Sequence, residues 1–134
     1  MAYKTGDYVQ KSVRAAAVLT TSYVAGTVLD ATHEYNQLII LMSFTKASTT
    51  SLEWKVEFSP DGTNYYQESA EAISAGTATN RELEHTIVSA NQSAAAQLYR
   101  FAIPITDRYI KISSKCTGTT TSCSLTVDAI LGIN

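Results

Sequence analysis

The chain has 134 residues, a net charge of −2, 45% apolar residues and only 16% charged ones. That length suits one domain burying roughly two thirds of its unfolded surface and leaves no room for a second. The scattered Lys and Arg exclude an electrostatic nucleic-acid binder, whose basic residues would cluster. No run approaches the ~18 apolar residues of a membrane span, and Met1–Asp7 lacks the apolar segment of a signal peptide. Synthesis in a cytoplasm is therefore expected.

In chain order, residues 1–10 read as an N-terminal arm ahead of a single β-sandwich domain at 11–134. The arm carries Tyr3, Lys4, Asp7 and Tyr8. Tyrosine suits a contact with one wet and one dry side, so the arm either fastens the sheet edge or reaches a neighbour. Strands are predicted at 11–19, 23–30, 36–46, 52–59, 64–69, 82–90, 97–105, 108–116 and 122–132, from period-2 alternation between turn signals. Segments 71–80 and 90–96, rich in small and polar residues, read as surface loops. Eight or nine short strands with no crossover helices predict an all-β fold, an antiparallel β-sandwich of jelly-roll type, with a closed barrel as the alternative.

The clearest element is 52–67. Leu52, Trp54, Val56 and Phe58 alternate with Glu53, Lys55, Glu57 and Ser59, giving one dry face and one exposed charge ladder. Ser59-Pro60-Asp61-Gly62 suits a type I turn in which Gly62 takes the left-handed conformation. A three-residue loop at 60–62 would leave Tyr65 outside and Tyr66 in the core; a loop one residue longer would reverse them.

Two hairpins are consistent on their core faces. Pairing Phe44 with Leu52 sets Met42 by Trp54 and Ile40 by Val56, but places Ile39 and Leu41 beside Glu57 and Lys55. One strand is then apolar on both sides, covered either by another segment or by another chain. Pairing Cys116 with Cys123 sets Ile112 by Val127 and Lys111 by Asp128. Opposed cysteines lie within disulfide range, so Cys116 and Cys123 either pack as thiols or join under oxidising conditions. Six residues between them and no neighbouring His make a zinc site unsuitable.

No catalytic pattern emerges. His33–Glu34 and Glu84–His85 are adjacent pairs that point to opposite faces of a strand, and solvated side chains account for them. Glu53 and Glu57 are separated by Lys55, so a charge ladder explains them better than a glycosidase pair. Asp61 to Asn64 offers oxygen side chains but lacks the fuller ligand series of a calcium loop. Nothing calls for a cofactor or a metal, and a non-enzymatic protein is expected. A glycan platform would use Asp61, Asn64 and Tyr65.

Tyr35-Asn36-Gln37-Leu38-Ile39-Ile40-Leu41, the run Leu52 to Phe58, and Ser59-Pro60-Asp61-Gly62-Thr63-Asn64-Tyr65-Tyr66 together resemble small β-sandwich virion proteins of tailed bacteriophages. Phe101-Ala102-Ile103-Pro104-Ile105, Arg108 to Ile112 and Ser124 to Gly132 are similar to the last strands of such proteins. The resemblance implies a structural protein of the virion, made in the host cytoplasm, most simply a capsid decoration (cement) protein. Its partners would be the major capsid protein or other virion proteins, and it would form a homo-oligomer. The alternatives are a neck or tail component and a tail-associated carbohydrate-binding module for receptor recognition. Candidate partner contacts are Tyr3, Lys4, Asp7, Tyr8, Ile39 and Leu41.

Overall fold

The computed structural model describes residues 8–32 and 35–133. They contain twelve strands: β1 (Tyr8–Ala17), β2 (Val24–Ala25), β3 (Leu29–Asp30), β4 (Gln37–Thr45), β5 (Thr49–Ser59), β6 (Tyr66–Gln67), β7 (Ser69–Ser74), β8 (Thr77–Glu82), β9 (His85–Val88), β10 (Ala96–Pro104), β11 (Tyr109–Gly118) and β12 (Ser124–Gly132). Among the described residues one 3-10 turn, Ser89–Asn91, overlaps the start of the link predicted as a loop at 90–96.

All pairing is antiparallel. Sheet A runs β1-β12-β4-β10, and sheet B runs β2-β11-β5-β6, with β3 also on β11 and β9 also on β5. The short strands are halves of longer ones. β2 and β3 share the edge of β11, and β6 and β9 share the edge of β5. Counted so, eight strands pair first with last, second with seventh, third with sixth and fourth with fifth, which is jelly-roll wiring.

Between β6 and β9 the chain leaves the sheet as the hairpin β7–β8, turning at Ala75 (φ 51°) and Gly76 (φ 79°). The Leu83 N–H donates to the Glu68 carbonyl at 2.8 Å and closes the base of this insertion. The segment 71–80 is therefore strand and turn rather than loop. Its small residues weaken the period-2 signal without preventing pairing.

The core lies between the sheets. Leu38, Ile40, Met42 and Phe44 of β4 and Leu125, Val127, Ala129 and Leu131 of β12 face Leu52, Trp54, Val56 and Phe58 of β5 and Ile110, Ile112 and Cys116 of β11. Both expected hairpins are corrected here. β4 and β5 lie in different sheets, as do β11 and β12. β4 pairs with β12 and β10, and β5 pairs with β11. The same side chains share one core cluster, facing it from two sheets instead of lying side by side. Lys111 and Asp128 consequently stand on opposite outer faces of the sandwich.

The N-terminal boundary also moves. β1 begins at Tyr8, which pairs with Gly132, while Val9 and Gln10 pair with Leu131 and Ile130. Residues 8–10 belong to the sheet rather than to an arm. Tyr3, Lys4 and Asp7 lie outside the described residues, as do His33 and Glu34.

Candidate functional site

The two outer faces of the sandwich differ in chemistry. On sheet B, the outward residues of β5 and β11 form a charge ladder. Lys115 Nζ stands 3.6 Å from Glu53, Lys55 Nζ 3.7 Å from Glu57, and Lys111 Nζ 4.0 Å from Glu57. Lys55 and Lys115 both lie over the Tyr23 ring, at 4.8 and 4.6 Å from its centroid, and Lys111 lies 4.2 Å over Tyr65. Each such partly exposed ion pair is worth only about 0.2–1 kcal/mol. Their side chains are only 15–27% exposed, so together they make a paired, partly covered charged surface whose full removal from water is still costly.

Sheet A is the opposite case. Alternating burial along β12, β4 and β10 identifies the outward set, and the ladder arranges it in rows: Ile130, Ile39 and Ala102; Asp128, Leu41 and Arg100; Thr126, Ser43 and Leu98. Among the outward residues of these three strands only Asp128 and Arg100 are charged. They straddle Leu41, two strand spacings or about 10 Å apart. Leu98 is 79% exposed. Beside it a shallow groove of ≈ 290 Å³ is lined by Leu41, Ser43, Arg100, Thr126 and Asp128.

Ile39 and Leu41 are thus on the outer face as expected, but not beside Glu57 and Lys55. Their neighbours are Ala102 and Ile130, and Arg100 and Asp128. Asp128 was expected on an outward face, but beside Lys111; Leu98, Arg100 and Ile130 were not singled out, because the other face of β10 and β12 carries the stronger apolar signal. Only the lateral strand order brings them together. Tyr8 stands at the corner of this sheet, opposite Gly132.

In the loop after β5, Asp61 and Asn64 are exposed and bonded to the loop itself. Asp61 Oδ1 accepts from the Thr63 and Asn64 N–H groups, both at 2.8 Å, and from Ser59 Oγ at 2.9 Å, while Oδ2 accepts from Asn64 Nδ2 at 2.9 Å. Gly62 takes φ 78°, as the turn requires. The hydrogen bonds from Asn64 and Thr63 backbone, then from the Ser59 and Asn64 side chains, hold the Asp61 carboxyl far below the ordinary carboxylate range. These contacts tie the loop to itself.

A depressed native pKa means that this stabilisation is present above the unfolded value of roughly 3.9 and is lost as pH falls toward the native one. Asp61→Asn is expected to lower the thermal midpoint at neutral pH, with the gap from the parent closing below about pH 4. Midpoints measured across pH check this; a gap unchanged into acid means that the ionised carboxylate does not hold the turn.

The tyrosines are also settled by register. Tyr66 pairs with Phe58 yet lies on the sandwich edge, 64% exposed, beside a groove of ≈ 300 Å³ formed with Ile103, Pro104, Thr106 and Asp107. Tyr65 is half-buried under Lys111 on the sheet B face. Neither expected arrangement holds, since Tyr66 is inward by pairing and exposed by its edge position. The exposed aromatic of this loop is therefore Tyr66.

Trp54 is core, 1% exposed, stacked on His85 with ring centroids 4.1 Å apart and 16° between planes. His85 is thus a half-buried packing residue rather than a solvated one. Cys116 and Cys123 are buried free thiols with Sγ atoms 3.7 Å apart. Burial, and next the hydrogen bond with Cys123, push the Cys116 thiol up to about 12, so Cys116 packs as a neutral thiol. The expected proximity holds, but across the two sheets. Among the described residues no cluster of three or more His, Cys, Asp or Glu is arranged to hold a metal ion, and no helix is long and apolar enough to cross a membrane.

These features define a jelly-roll β-sandwich with an inserted hairpin and two chemically unlike outer faces. No family model matches the chain, and no curated protein matches it. Among solved structures it is similar to the SPBc2 prophage-derived protein YomS, with TM-score 0.49 and 19% identity over 93% of this chain and 92% of that one. It is also similar to a carbohydrate-binding module (CBM6cm-2) from Cellvibrio mixtus lichenase 5A, solved with cellotriose, with TM-score 0.45 and 8% identity over 96% and 89% of the two chains. At these values neither likeness assigns a function.

Proposed function

We propose that the chain is a non-enzymatic structural protein of a bacteriophage particle, acting as a capsid decoration (cement) protein that binds the outer shell through the major capsid protein or other virion proteins. The resemblance of its strand and turn sequences to small virion sandwiches motivates this reading. The observation that carries it is the contrast between the two outer faces. A protein that must stay dispersed before assembly and then adhere needs one charged side and one largely uncharged side. Sheet B supplies the first with its Lys–Glu ladder, and sheet A the second with Ile39, Leu41, Leu98 and Ile130 among Ser, Thr and Gln. Repetition over a lattice makes a modest contact collectively strong.

The test is co-sedimentation of the purified chain with shells of its source particle that lack it. Saturable binding at hundreds of copies per shell is the expected result, and a handful of copies or none overturns the decoration role in favour of the neck or tail. A tail-associated glycan-binding role has one feature in its favour, the exposed Tyr66 beside the groove with Ile103 and Pro104. In a glycan screen that role requires binding that Tyr66→Ala abolishes.

A further inference from the structure

The outer face of sheet A is complementary to itself. We propose that its occupant is a second copy of this chain, packed face to face about a two-fold axis lying in the interface and parallel to β4. The proposal rests on the reading of sheet A as the contact face and names what covers it in the free protein, the shell competing for the same face on assembly. A two-fold along β4 leaves the central strand over itself, so Leu41 meets the partner's Leu41 and Ile39 the partner's Ile39. Residues one strand to the left exchange with residues one strand to the right. In the row Asp128, Leu41, Arg100, Asp128 then faces the partner's Arg100, and Arg100 the partner's Asp128.

The only two charges among the outward residues of β12, β4 and β10 are thus of opposite sign and placed symmetrically about the strand that would carry the axis. Neither forms an ion pair within the chain among the described residues. A two-fold axis perpendicular to the strands would instead set Asp128 against Asp128 and Arg100 against Arg100, so charge selects one orientation.

Shape agrees with charge. In the next row, Thr126, Ser43 and Leu98, the same operation places the protruding Leu98 over the partner's Thr126. That residue lines the groove with Leu41, Ser43 and Asp128, so each copy inserts one apolar knob into the other's groove. Sheets stack with strand directions within about 30° of each other, as this arrangement requires. With the axis along β4 only β12, β4 and β10 overlap their counterparts, and three strands about 4.8 Å apart and nine residues long at about 3.4 Å each present roughly 440 Å². A face-to-face pair therefore covers on the order of 900 Å², the size of a weak pair whose population rises with concentration.

The experiment is a charge-swap cycle read by light scattering during size exclusion over a concentration series. The parent is expected to approach twice its 14.5 kDa chain mass. Arg100→Asp and Asp128→Arg each oppose like charges at two points and should weaken association by about tenfold or more. The double variant, which restores opposite charges with their places exchanged, should recover it. Leu98→Glu, at an exposed side chain, is a second disruption that does not depend on the charged pair, and circular dichroism of each variant shows that the fold is kept.

A parent that is monomeric throughout overturns the proposal, as does a dimer that ignores both single swaps and Leu98→Glu. Recovery failing in the double variant overturns the assigned axis. Shell co-sedimentation separates this from the particle role: a monomer that binds shells, and loses them on Leu98→Glu, overturns self-association while leaving the decoration role in place.

Discussion

Replacing Trp54 with alanine is expected to cost about 3–5 kcal/mol, the range for removing a fully buried large aromatic. Trp54 is 1% exposed, and its ring is held on two sides. His85, its register partner on β9, stacks at 4.1 Å, and Phe101 of β10 closes from the other sheet at 4.7 Å and 45°. The residue therefore joins the two layers at the side of the sandwich where β9 and β10 form the edges. Removing it leaves a void lined by groups held in separate sheets, which cannot collapse without moving a sheet. For a domain whose whole stability is about 5–15 kcal/mol, this is a large fraction.

Urea unfolding followed by circular dichroism measures the loss, with Val18→Ala as a surface control, at a side chain 51% exposed, expected to fall within about 0.5 kcal/mol of the parent. A cost below about 1 kcal/mol for Trp54→Ala would mean that the indole is not packed between the sheets. As the chain has one Trp, the parent's own fluorescence offers an independent check: emission should be that of a dry indole and shift to the red on unfolding.

Gly26→Ala is the second substitution with a large expected effect, on the order of 3 kcal/mol. The reason is space. An ideal Cβ at Gly26 stands 2.5 Å from Val13 Cγ1 and 2.6 Å from the Val13 carbonyl oxygen. Val13 cannot retreat cheaply, because it is core at 3% exposure and its carbonyl accepts the Thr27 N–H at 2.8 Å. The Gly26 N–H itself donates to the Ile112 carbonyl at 2.9 Å. Two consecutive residues thus bond one to each sheet, and glycine permits the approach.

Gly76→Ala is the comparison. It has the left-handed φ of 79° but open space around it, so only backbone strain of about 1 kcal/mol applies. Thermal or urea unfolding ranks the two. If Gly26→Ala is no worse than Gly76→Ala, the close approach to Val13 is not a constraint on the fold.

Local pattern was sufficient for much of the molecule. Alternation along 38–44, 52–58, 110–116 and 125–131 identified which side of each strand is dry, and every apolar residue so placed is buried. The turn at Ser59–Gly62 and the core position of Trp54 followed from residue type and parity alone. The partners of those strands did not. A hairpin and a pair of strands facing each other across a core bring the same inward side chains together, so Met42 near Trp54 and Cys116 near Cys123 satisfied either arrangement. What separates the two is the outward face. There, Lys111 and Asp128 would attract in the hairpin, a weaker signal than jelly-roll wiring overrides.

The candidate surface shows the same division. The sequence by itself determined that the strand 37–45 is apolar on both sides and that charge is scarce, since these are properties of single residues and their parity. Only the tertiary structure decided that Leu41 lies between Asp128 and Arg100, that Leu98 overhangs a groove, and that the Lys–Glu ladder occupies the opposite face. Lateral strand order joins residues far apart in the chain, and it is chosen by the closure of two sheets around one core, a global condition that no single segment encodes.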